Sequence, residues 1–181
     1  MDYRNNPAVA SYRGIRNNNP GNYKSDGPAW QGVVGNDGTF YIFADDTWGL
    51  RAMAKDLTSK INEGNDTITT IITKYAPPSE NDTASYIAAV ASDTGLDPDT
   101  QLGTDADTMH SLIRAIVNHE EGASASQQFI SDADIDQGIT MAGDPTTVFP
   151  AAAIAAQANP LLTVAILLGS VWLLSLLYGD D

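Results

Sequence analysis

The chain of 181 residues has no cysteine. Disulfides, thiolate metal sites and a cysteine nucleophile are therefore excluded. Histidine occurs only twice, at His110 and His119, so an all-protein zinc site is not expected, and no cofactor is implied. Basic residues are scarce as well: 9 Lys and Arg stand against 23 Asp and Glu, a formal net charge of -14. Such a surface repels phosphate backbones, so nucleic acid is not an expected partner. The opening MDYRNNPAVA lacks a basic stretch followed by an apolar one, so no secretory signal peptide is expected.

Charge is also missing from residues 145–179. Within them LLTVAILLGSVWLLSLLY is an apolar run close to the roughly 20 residues that span a bilayer core. A small domain rarely buries a helix that is apolar all round, so a single-pass membrane helix over residues 159–179 is expected. Residues 144–158 then form a linker or interfacial segment, and residues 1–143 a domain long enough to bury one core. Lipid is thus an expected partner.

What is present begins with an amide-rich loop. RGIRNNNPGN is nearly devoid of apolar side chains and lies in a loop-like stretch over residues 1–30. Residues 30–34 and 39–44 read as two short strands joined by GNDG, a hairpin signal. Asp46 or Thr47 caps a helix to about Asn62, with Leu50, Met53, Ala54, Leu57 and Ile61 at helical spacing. A short helix begins at Thr67 and stops at Pro77 and Pro78. Ser79 to Asp82 resembles a capping box opening the next helix. The clearest helix runs from Asp105 to His119, its stripe being Met109, Leu112, Ile113, Ile116 and Val117. ASASQQ reads as a loop, and residues 132–141 as a last short helix. The expected class is mainly α with a small β-hairpin.

Three constellations carry chemistry. In NHEEG, at 100° per residue, Glu120 falls roughly 10° from the centre of the apolar stripe, and Glu121 over about 100° away. Glu120 is thus expected to face the way the core faces, and Glu121 to face outward. Desolvation and the negative end of the helix dipole both favour a carboxyl that keeps its proton, as a general acid requires. The bland alternative is a helix that ends before Glu120, leaving the side chain in water or paired with an arginine. In YAPPSENDTASY, Glu80, Asn81 and Tyr86 are candidate rim contacts, although capping and dipole compensation account for most of that pattern. In the opening loop, Asn18, Asn19 and Asn22 with Tyr23, Trp30 and Trp48 around them combine amides with ring faces, which suits hydroxyl and acetamide groups. Asn-rich turn chemistry is the alternative there.

RGIRNNNPGNYK, then W.G, F..F, GLRAMAKDL, YAPPSENDTASYI and AIVNHEEG, in that order, resembles a phage-encoded family of virion structural proteins and lytic transglycosylases with a lysozyme-like fold. The resemblance covers about residues 12–143. NNPGNYK...W.G...F..F is also similar, more loosely, to a stretch of bacterial N-acetylglucosaminidases. In these enzymes a helix ending in Glu-Ser-Gly carries the catalytic acid and precedes the substrate loop. Here the corresponding Glu120 follows that loop, with Glu121 where serine is usual, so the resemblance implies a circularly permuted order. It implies cleavage of the MurNAc–GlcNAc bond of peptidoglycan, with other virion proteins as partners and, together with the apolar run, the virion membrane or the host inner membrane as the location. A hydrolase would need a second carboxylate about 5–9 Å away, for which Glu80 and Asp37 are candidates. The competing class is a non-catalytic virion adapter linking capsid, membrane or cell wall.

Overall fold

A computed structural model describes residues 1–143. After a 3₁₀ turn at Pro7–Val9 comes a short helix α1 (Arg13–Arg16), followed by strands β1 (Val33–Asn36) and β2 (Tyr41–Phe43). Six helices follow: α2 (Asp46–Asn62), α3 (Ile68–Tyr75), α4 (Thr83–Thr94), α5 (Ala106–Glu121), α6 (Ala123–Phe129) and α7 (Asp132–Gly143).

Side chains that the sequence supplies at the right offsets fix the helix starts. Asp45, Asp82 and Asp105 each accept the backbone N–H three residues on, at Trp48, Ser85 and Thr108. Thr67 and Thr70 cap reciprocally. Each such bond satisfies an N–H that the helix itself cannot, and is worth about 1 kcal/mol. The PPSEN turn differs from expectation. Pro77 O accepts the N–H of both Glu80 and Asn81, so the helix begins at Thr83 with Asp82 as its cap.

α5 is the central helix and packs on α4, α6, α7, α2 and α1. Its stripe of Met109, Leu112, Ile113, Ile116 and Val117 is buried, as are Leu50, Met53 and Leu57 of α2 and Ile68, Ile71 and Ile72 of α3. Each such side chain contributes about 1.5–3 kcal/mol by leaving water. α7 lies against α2, and Gly138 makes the approach possible: a Cβ there would meet Leu50 Cβ at 2.7 Å and Arg51 N at 3.0 Å.

The hairpin pairs antiparallel, Asn36 with Tyr41 and Val33 with Phe43, with an irregularity between Val33 and Gly35. Its turn is held by Asp37, which takes Arg13 Nε and Nη2 at 2.7 and 2.8 Å and Asn17 Nδ2 at 2.7 Å. ASASQQ, expected as a loop, is most of α6.

The domain is mainly helical with one two-stranded hairpin, as expected; the full expected class, a lysozyme-like, circularly permuted domain carrying a C-terminal transmembrane helix, is corrected, because no such helix is supported. No helix among the described residues is long and apolar enough to cross a membrane. Their apolar residues lie in stripes that pack on one another, with polar faces opposite. The run over residues 161–178, with the linker at 144–158, lies outside the described residues.

Candidate functional site

The amide loop divides by direction. Asn18 and Asn19 are fully buried. Asn18 donates to Phe43 O and Asp2 and accepts the Tyr3 N–H. Asn19 donates to Tyr23 O and Tyr41 O and accepts the Tyr23 N–H. Their amides thus tie the N-terminal segment, the loop and the hairpin together, and they do not line the groove. Asn18 and Asn22 take positive φ, 53° and 49°, in the left-handed region that asparagine tolerates better than most residues. That turn sends Asn22 back toward the end of α5. Gly21 permits it, because a Cβ there would crowd Tyr75 Oη, Met53 and Tyr23 within 2.9 Å.

Asn22 Nδ2 donates to Glu120 Oε2 at 2.9 Å and to Glu121 Oε1 at 3.3 Å. Tyr86 Oη donates to Glu120 Oε1 at 2.7 Å. Both Glu120 oxygens are therefore anchored, one from the amide loop and one from α4. Glu120 is half-buried, and Glu121 is the buried member of the pair at 9% exposure. The expectation that Glu121 faces outward is corrected. α1 and the loop after it cover that flank of α5, and Gly14 lies so close that a Cβ would overlap Glu121 Oε1. Burial pushes the Glu121 carboxyl up to about 7; Ile15 N–H and Asn22 oppose the rise and the Glu120 charge adds to it.

Glu120 stands where two cavities meet. The larger, about 580 Å³, is lined by Asn22, Tyr23, Trp30, Tyr75, Asp56 and Glu80 among others, and the smaller, about 230 Å³, by Asp82, Ser85, Tyr86 and His119. Glu120 and Asn81 line both. The two arms form one groove with a carboxyl at the junction. A chain of rings follows it: Trp30 to Tyr23 at 5.5 Å, Tyr23 to Tyr75 at 5.8 Å, Tyr75 to Tyr86 at 6.4 Å, and Tyr86 stacked on His119 at 3.6 Å.

Of the residues singled out in the sequence, Asn22, Tyr23, Trp30, Glu80, Asn81, Tyr86 and Glu120 come together here. Asp37 does not; it is spent on the hairpin turn, where the Arg13 guanidinium holds its carboxyl well below the usual range. Sequence reasoning missed Tyr75, His119 and Asp56. Asp56 accepts from Tyr23 Oη at 2.9 Å and pairs with Lys60 one helical turn on, at 2.5 Å. The i, i+4 spacing of Asp56 and Lys60 was the available signal. No group of three or more acidic or histidine side chains among the described residues could hold a metal ion.

No family model matches the chain. It is similar to protein P5 of Pseudoalteromonas phage PM2, with 40% identity over 118 residues, covering 62% of this chain and 72% of that protein. The chain belongs to the P5 family. Its relationship is thus to a phage protein, in line with the phage-encoded part of the expected resemblance.

Proposed function

We propose that the groove binds a peptidoglycan glycan strand and that Glu120 cleaves it as a lytic transglycosylase, in a virion-associated protein. The observation that carries this reading is the position of Glu120 at the junction of the two arms, with each oxygen anchored by a neutral donor. A polymer lying along both arms places an internal linkage at the carboxyl. Sugar rings present flat apolar faces and a rim of hydroxyls, and the groove offers aromatic rings and amides to match.

In its protonated form Glu120 donates to the glycosidic oxygen as the bond to the anomeric carbon breaks. The carboxylate then takes the proton of the sugar's own 6-hydroxyl as that oxygen closes on the anomeric carbon, so the acid is regenerated and no water is consumed. Only one carboxyl is needed. Asp56, the other half-buried carboxylate of the larger arm, is occupied by Lys60 and Tyr23, which favours this route over a two-carboxylate hydrolysis. The virion-associated role draws on the relationship to a phage protein.

A zymogram on purified peptidoglycan tests the reading. Wild type clears the gel, and Glu120→Gln, with its circular dichroism unchanged, does not. Absence of clearing by the folded wild type would favour an adapter that binds other virion components through the same groove.

A further inference from the structure

The larger arm is unusual in charge. In a chain of net charge -14, Lys24, Lys60 and Lys74 all line it, the fourth lysine being Lys55. No lysine or arginine lines the smaller arm. Lys60 is committed to Asp56. Lys24 pairs with Glu80 at 2.5 Å, but both are about half exposed, at 50% and 54%. Solvent screens such a pair, so it contributes little and exchanges readily. Lys74 is exposed. The remaining lining carboxylates are Asp26, which is exposed, and Glu120 at the junction.

Glu80 and Lys24 come from opposite walls, the PPSEN turn and the segment after the amide loop. Their contact marks a point in the arm where an ammonium already accepts a carboxylate. On a surface this acidic, gathered cations are what attract an anionic ligand, and three of the chain's four lysines line this arm, among four carboxylates.

We propose that the larger arm is a subsite for a saccharide bearing a carboxylate substituent, held by Lys24 and Lys74, with Glu80 occupying Lys24 until that substituent displaces it. This rests on the glycan reading and narrows it to a strand that carries its peptide stems. The smaller arm takes the unsubstituted sugar. Lys24 and Lys74 are specificity residues here, and Glu80 is a competitor built into the wall.

The test uses the full chain carrying Glu120→Gln, so that ligand is not consumed, and isothermal titration at low salt. The probes are chitotetraose, which is neutral, and a peptidoglycan tetrasaccharide with its stem peptides. The stem-bearing probe binds more tightly, and the ratio of the two affinities falls about two- to fivefold with Lys24→Ala or Lys74→Ala, the range of a half-exposed ion pair. Glu80→Gln raises the ratio by a similar factor, because it frees Lys24. Equal affinity for the two probes, or a ratio that none of the three changes moves, overturns the proposal while leaving the glycan reading intact. Failure of both probes to bind overturns the glycan reading and this subsite with it.

Discussion

Replacing Glu121 by glutamine isolates the consequence of burying a carboxyl beneath Gly14. The folded state holds this group at about 7, against an ordinary value of 4.5. Between those values the folded protein binds a proton that the unfolded chain has released. Stability therefore falls as pH rises through this window and levels off above about 7. At about pH 5 the cost is under roughly 1 kcal/mol, and at about pH 8 it is about 3.3 kcal/mol, close to the limit set by a displacement of about 2.5 units at 1.36 kcal/mol each. Glutamine keeps the shape and cannot ionise. Urea unfolding of both proteins at the two pH values reads the difference. Relative to wild type, Glu121→Gln gains about 2–3 kcal/mol between about pH 5 and about pH 8. Asp46, pushed up to about 6 by burial, titrates in both proteins and cancels. Any change in the hydrogen bonds to Ile15 and Asn22 also cancels to the extent that it is independent of pH. A difference between the proteins that is the same at both pH values would refute the placement of Glu121 as a desolvated acid.

Two further expectations concern packing and the acid's second anchor. Gly138→Ala forces α7 away from Leu50 and Arg51 and costs about 1–3 kcal/mol, read as a lower urea midpoint. Tyr86→Phe removes the hydroxyl that holds Glu120 Oε1 and keeps the ring stacked on His119. Its unfolding free energy changes by no more than about 1–2 kcal/mol, while the rate of glycan release falls by more than tenfold.

Much of the helical frame was legible because burial leaves a period of 3.6 in the sequence. The stripes of α2 and α5 are complete; the α5 cap is the expected Asp105, whereas α2 is capped by Asp45, one residue before the expected Asp46. α6 was not legible: of its residues Ala125 and Ser126 are the buried ones, and neither marks an apolar stripe. It is helical because Gly122, with φ of 81°, turns the chain sharply and lets this short segment pack back on α5. The surroundings of Glu120 were legible in part for a similar reason. A helical wheel orients side chains about one axis, and it directed Glu120 toward the apolar side, where the groove now lies. It carries no information on what covers the neighbouring flank, so it sent Glu121 to solvent although α1 and the amide loop enclose it. The asparagines show the same limit. Their composition signalled a site, yet only tertiary placement separates Asn18 and Asn19, which brace the loop, from Asn22, which reaches Glu120.

On the proposed reading Glu120 breaks glycosidic bonds without water. Mass analysis of the soluble products released from purified sacculi tests it most directly. Wild type is expected to release muropeptides with 1,6-anhydro ends, and Glu120→Gln none. Products with reducing ends, or equal release by both proteins, would contradict it.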